Sequence, residues 1–135
     1  MSKMWRSRLL VCLGLSAGVI SMWETLAFSW NPDFQAPALA LGATHTNYHA
    51  FREFTLTLGV VIIILYVIFQ PPAGRHRSLW VVMFIAAVCY YGGWWLPWPL
   101  LGLHTPNLAA GIDHAIATIL TLTGVVIART EFSHE

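Results

Sequence analysis

The sequence predicts an all-α integral membrane protein, a four-helix bundle built from two tandem helical hairpins. Hydrophobic residues make up 57% of its 135 residues and charged residues 10%, whereas soluble domains carry about 25% charged residues. Four apolar stretches, residues 9–28, 54–69, 79–96 and 109–128, approach the ~20 residues that a helix needs to cross a bilayer. None alternates like a strand, and a helix satisfies its own backbone in lipid. We therefore expect one membrane domain over residues 1–135.

The basic residues predict how these helices are oriented. Six of the seven lie before the first stretch, between the second and third, or after the fourth: Lys3, Arg6, Arg8, Arg75, Arg77 and Arg129. Such residues concentrate on the cytoplasmic side of membranes. We therefore expect both termini on the cytoplasmic side of a bacterial cytoplasmic membrane. The first stretch, which also has features of a secretory signal, is interpreted as a retained helix. The net charge of +1 and this scattered distribution argue against nucleic-acid binding.

An internal repeat predicts the two hairpins. The segment HAFREFTLTLGVVI begins at His49, and HAIATILTLTGVVI begins at His114. We place repeat one at about residues 1–70, a cytoplasmic linker at about 70–78 and repeat two at about 79–135, because prolines and a glycine in the linker end a helix and allow reversal. Equivalent histidines should then lie at similar depths. Gly59 and Gly124 occupy equivalent positions and predict close helix approach.

The outer connections, residues 29–53 and 97–113, are expected to lie at the membrane interface because they stay largely apolar. Five tryptophans fall at this level: Trp23, Trp30, Trp94, Trp95 and Trp98. They predict an interfacial aromatic belt, with an aromatic cage for a cation as the alternative. Cys12 and Cys89 should lie at different depths, which argues against a disulfide between them.

Histidines and carboxylates near the outer face predict a metal or haem site. If residues 45–53 are helical, the four-residue spacing of His45, His49 and Glu53 places them on one stripe of the helix. Imidazole and carboxylate together suit zinc, copper, iron or manganese. The candidate metal ligands are His45, His49, Glu53, His104 and His114. Two histidines facing across a bundle can instead hold a b-type haem axially, and His49 and His114 are the candidates.

Simpler interpretations of these residues stay open. Each histidine can hydrogen-bond a carbonyl group or a lipid headgroup. Asp113 can serve as an acid at a helix N-terminus, and Arg52 and Glu53 can form ion pairs with Glu24 and a neighbouring group. With a cofactor present, Glu53 and Asp113 are the candidate proton-transfer residues.

The predicted function is binding of a metal ion or haem b near the outer face, in electron transfer or in chemistry on a lipid-soluble substrate. One alternative is a non-catalytic accessory subunit of a larger respiratory or photosynthetic membrane complex. Another is a binding or carrier protein for a hydrophobic compound, with its pocket between the hairpins. The expected partners are the bilayer, further copies or a larger complex, and a lipid-soluble small molecule. No phosphate loop, GxSxG, HExxH or CxxCH motif occurs. Covalent haem attachment and phosphoryl transfer are therefore without support. Whether the protein is an enzyme stays open.

Overall fold

A computed structural model describes residues 2–30 and 45–132, and these form helices and no strand. Four helices are long and apolar enough to cross a membrane: α1 (Lys3–Phe28), α2 (His45–Ile68), α3 (Arg77–Trp95) and α5 (Leu108–Ala128). A short helix, α4 (Pro97–Leu101), follows α3, and single 3-10 turns form at Pro72–Gly74 and Arg129–Glu131. The all-α class and the four long helices are confirmed, and α2 begins earlier than its apolar stretch because the polar segment from His45 is also helical.

Local side chains define where several helices begin and end. The Ser2 hydroxyl accepts the Trp5 backbone N–H at 3.3 Å at the start of α1, and the Asn107 side chain accepts that of Ala110 at 2.9 Å at the start of α5. Such caps satisfy N–H groups that a helix leaves without internal partners. Gly102, with φ 68°, ends α4 in the left-handed conformation that glycine adopts without steric cost.

The four long helices form a ring in the order α1, α2, α3, α5, and the closest pair is α1 with α5. One end of this ring carries the basic residues of α1, α3 and the two turns, and we call it the basic end. Arg8 of α1 donates there to the carbonyl groups of Ile68 and Gln70, at 3.1 and 3.2 Å. The opposite end carries His49, His104 and His114, and we call it the histidine end.

Two glycines allow α1 and α5 to approach closely. A Cβ atom on Gly124 would lie 2.8 Å from the Ser7 carbonyl oxygen and 3.0 Å from the Val11 backbone nitrogen. A Cβ on Gly14 would lie 2.6 Å from the backbone nitrogen of Thr121. Each glycine therefore contacts the backbone of the facing helix, as in membrane helix pairs that associate through small residues.

The sequence prediction is confirmed for Gly124 and wrong for Gly59. Gly59 is exposed, and a Cβ built there has no neighbour within 4 Å. Its face of α2 points away from the other described helices, so equivalent positions of the sequence repeat have different surroundings. Gly14, which has no counterpart in the repeat, forms the second close contact.

The hydrophobic core lies mainly in the half of the bundle nearest the basic end. Its buried members are Met4, Val11, Leu15, Ile64, Val67, Ile68, Trp80, Met83, Ala87, Val125, Ala128 and Phe132. On the outside, large apolar side chains such as Ile62 and Ile119 are 65% and 63% exposed, which is compatible with a surrounding of hydrocarbon. Cys12 and Cys89 are free thiols.

Alanine substitutions at the two equivalent glycines test the α1–α5 contact. Gly124→Ala should lower the free energy of unfolding by about 1–3 kcal/mol, because backbone atoms must move to admit the methyl group. Gly59→Ala is the matched control and should leave stability unchanged or raise it by up to about 1 kcal/mol, since alanine favours helix over glycine. Circular dichroism during denaturant unfolding in mixed micelles measures both, and equal losses in the two variants would contradict the packing described.

Candidate functional site at the histidine end

Three cavities open at the histidine end of the described structure, and two of them adjoin. The first has a volume of about 380 Å³ and lies against α1 and α2, with His49 and Phe28 among its lining residues. The second has a volume of about 200 Å³ and is lined by residues of all four long helices. Thr25, Glu53 and Pro106 line both cavities, so the two adjoin, with the Glu53 side chain at their shared boundary.

Three of the predicted ligand residues line the second cavity: Glu53, His104 and His114. The predicted helix over residues 45–53 is confirmed, and it carries His49 into the first cavity rather than the second. The side chain of His45 lies outside the described residues. Within residues 2–30 and 45–132, no three histidine, cysteine, aspartate or glutamate side chains are grouped closely enough to hold a metal ion. The five-residue metal site and the haem pair therefore stay predictions.

His114 is the most enclosed histidine of the second cavity. Its imidazole packs against the indole of Trp94, with ring centroids 4.3 Å apart and planes inclined by 32°. Its Nδ1 atom is buried, and no residue in the described part of the chain hydrogen-bonds to it. A buried polar atom without a partner costs about 1–3 kcal/mol. Because Nδ1 is buried, the rest of the imidazole is the part of His114 that lines the cavity.

Hydrogen bonds to α5 fix the wall that carries Trp94. The hydroxyl groups of Tyr91 and Thr121 lie 2.8 Å apart, and both side chains are fully buried. The Trp95 indole N–H donates to the Thr118 hydroxyl at 2.9 Å. Trp94 also packs edge to face against Tyr91, with centroids 5.2 Å apart. The Trp94 ring is therefore held in place by Tyr91 of its own helix and by His114 of α5.

The five tryptophans predicted to form an interfacial belt divide into two groups. Trp23, Trp30 and Trp98 are 62%, 55% and 58% exposed, as a belt requires. Trp94 and Trp95 are half-buried and make the contacts with α5 just described. Nothing in the sequence distinguishes the tryptophans that line a cavity from those that are exposed at the surface.

The simpler interpretations of the charged residues are corrected in two places. Asp113 is not an acid of a helix first turn, because α5 begins at Leu108 and its first turn has no acidic residue. One carboxylate oxygen of Asp113 is buried without a hydrogen-bond partner among the described residues, and Asp113 lines neither cavity. Arg52 and Glu24, both described, form no ion pair. Of the two candidate proton-transfer residues, Glu53 is the one that lines the cavities.

Asn47 is a structural residue of this end that the sequence reasoning did not identify. Its side-chain nitrogen donates to the Ser29 carbonyl oxygen at 2.6 Å and lies 3.1 Å from the Ser29 hydroxyl. The bond joins the end of α1 to the start of α2. The text Leu-Gly-x-x-x-x-Asn ends within the first turn of α2 and again directly before α5. This was the available signal, although the equivalent Asn107 caps its own helix instead.

No protein-family model, curated protein or solved structure matches the chain. The chemistry of the site must therefore be inferred from its own residues. The second cavity combines an apolar aromatic wall with one carboxylate and two imidazoles, which is a set suited to binding a small molecule that has both apolar and polar parts.

Removing one hydroxyl group tests whether the α3–α5 contact holds the cavity wall. Tyr91→Phe should lower the free energy of unfolding by about 0.5–1 kcal/mol, a typical net contribution of one intramolecular hydrogen bond. Tyr66→Phe removes the same group from a side chain that is 65% exposed and should have no effect. Denaturant unfolding in micelles compares the two, and an equal loss in Tyr66→Phe would contradict this role for Tyr91.

Proposed function

We propose that the protein spans a membrane as two tandem hairpins, with the basic end cytoplasmic, and binds an amphipathic small molecule at its outer, histidine end. The apolar outside of the helices supports the membrane setting. The unequal charge of the two ends supports the orientation, because basic residues concentrate on the cytoplasmic side. Among natural settings, a bacterial cytoplasmic membrane agrees with this arrangement.

The observation that carries the proposal is the convergence of polar groups on an apolar cavity. Glu53, His104 and His114 line the second cavity together with Met22 and Leu103, and Trp94 forms its aromatic wall. Small-molecule sites are mostly apolar clefts of about 300–1,000 Å³ with a few placed polar groups. The first cavity alone, at about 380 Å³, falls in that range, and it adjoins the second.

The lining residues favour a lipid-soluble ring compound with hydroxyl or carbonyl groups, such as a quinone. Its ring would pack beside Trp94, where an offset or tilted aromatic contact adds about 0.5–1.5 kcal/mol beyond burial. Its polar groups would reach the imidazole of His114 and the carboxylate of Glu53. In chemistry on such a ligand, Glu53 would be the residue placed to take up or release a proton.

Haem or metal binding, the first prediction from the sequence, is less well supported by the geometry. His49 and His114 line different cavities, whereas axial haem ligands must face each other across one iron. Binding of a hydrophobic compound, which the sequence raised as an alternative, uses the cavity residues as they are placed.

Ligand titration tests the proposal, with decylubiquinone as the probe and purified protein in mild detergent. Wild-type protein should bind the probe saturably. His114→Ala and Glu53→Ala should each weaken binding about tenfold, because each removes a hydrogen-bonding partner worth about 1–2 kcal/mol. His76→Ala, at the basic end, is the control and should bind like the wild type. Equal affinity in all four proteins would contradict the proposed site.

Absorption spectra and elemental analysis of the same samples separate the alternatives. We expect His49→Ala and His114→Ala to leave the metal content and the visible spectrum as they are in the wild type. A Soret band or a stoichiometric metal lost in both variants would overturn the small-molecule proposal in favour of haem or metal binding. A stoichiometric partner protein that copurifies with a chain unable to bind the probe would favour the accessory-subunit alternative.

A further inference from the structure

At the basic end, two arginines from different parts of the chain lie beside one indole ring. The guanidinium carbon of Arg77 lies 4.3 Å from the centre of the Trp80 ring, and that of Arg129 lies 5.7 Å from it. Trp80 is 8% exposed, and its indole N–H donates to the Val125 carbonyl oxygen at 2.8 Å. The Trp80 ring is thus fixed between α3 and α5, and both guanidinium groups lie beside it at the basic end.

Arg77 and Arg129 have no acidic partner among the described residues, unlike their neighbour Arg75. Arg75 donates to the Gln70 carbonyl oxygen at 3.1 Å and lies 3.9 Å from the Glu131 carboxylate. That is the one ion pair in the part of the chain that the structure describes, so neither Arg77 nor Arg129 is paired there. With no carboxylate beside them in the described structure, both guanidinium groups keep a positive charge that an anion would neutralise.

The start of α3 adds neutral donors to this position. α3 begins at Arg77, so the N–H groups of its first turn point toward the basic end. No side chain caps them. The next residue, Ser78, is exposed and offers a hydroxyl. Helix N-termini bind phosphate through such N–H groups and through the helix dipole, and arginine matches phosphate oxygens in bidentate geometry.

We propose that Arg77, Arg129 and the start of α3 bind the phosphate group of an anionic phospholipid. The apolar side chains that continue from this position toward the bundle centre are exposed, with Val81 at 39% and Ile85 at 54% on α3 and Val126 at 53% on α5. Acyl chains can lie along that surface, which a soluble phosphate would leave uncovered. The site rests on the membrane insertion proposed above and is independent of the ligand at the histidine end.

Lipid retention measured by native mass spectrometry tests this site in the full-length protein. Wild-type protein in detergent should retain phosphatidylglycerol about tenfold better than phosphatidylcholine, and Arg77→Gln/Arg129→Gln should lose that preference, because each basic residue near a surface contributes about a fewfold in affinity for anionic lipid. Lys3→Gln/Arg6→Gln removes the same charge from the same end and should keep the preference. Equal retention of the two lipids by the wild type, or equal loss in both double variants, would overturn the proposal.

A competition arm separates lipid from soluble phosphate. Excess sodium phosphate should leave phosphatidylglycerol bound, and its displacement by phosphate would assign the site to a soluble anion instead. Thermal unfolding of each variant checks that it is folded. If the double glutamine variant unfolds early, Arg77→Lys/Arg129→Lys replaces it, and it should keep the preference for phosphatidylglycerol only in part because lysine lacks the bidentate geometry.

Discussion

The close approach of α1 and α5 through Gly14 and Gly124 is the contact on which the rest of the bundle depends. Backbone meets backbone there, so the two helices are set at a distance that larger side chains would not permit. The buried core fills the half of the bundle nearest the basic end. The two adjoining cavities open at the histidine end, outside that core cluster.

The two ends of the bundle consequently have different chemistry. At the histidine end, α3 is held to α5 by hydroxyl and indole hydrogen bonds, and this places Trp94 on His114 while leaving His114 Nδ1 without a partner in the described structure. At the basic end, arginines cap carbonyl groups, pair with Glu131 or lie on Trp80. An amphipathic ligand suits the first arrangement and a phosphate suits the second, so both proposals follow from where polar groups lack internal partners.

The sequence predicted the helices well and the contacts between them less well. Apolar length and the scarcity of charge are local properties, and they located all four long helices. Which face of a helix meets another is a tertiary property, which explains why the repeat predicted Gly124 correctly and Gly59 wrongly. Asp113 was misjudged because Asn107 starts α5 earlier than an acid-capped helix would begin. The pairing of Trp94 with His114 joins residues twenty positions apart on two helices, and no spacing rule within one helix reveals it.

A structure of the protein in lipid nanodiscs, prepared from membranes without added ligand, tests the central claim most directly. We expect non-protein density in the second cavity, beside Trp94 and within hydrogen-bonding distance of the His114 imidazole or the Glu53 carboxylate. A closed histidine end, in which His114 Nδ1 bonds to another residue of the chain and no cavity remains, would contradict it.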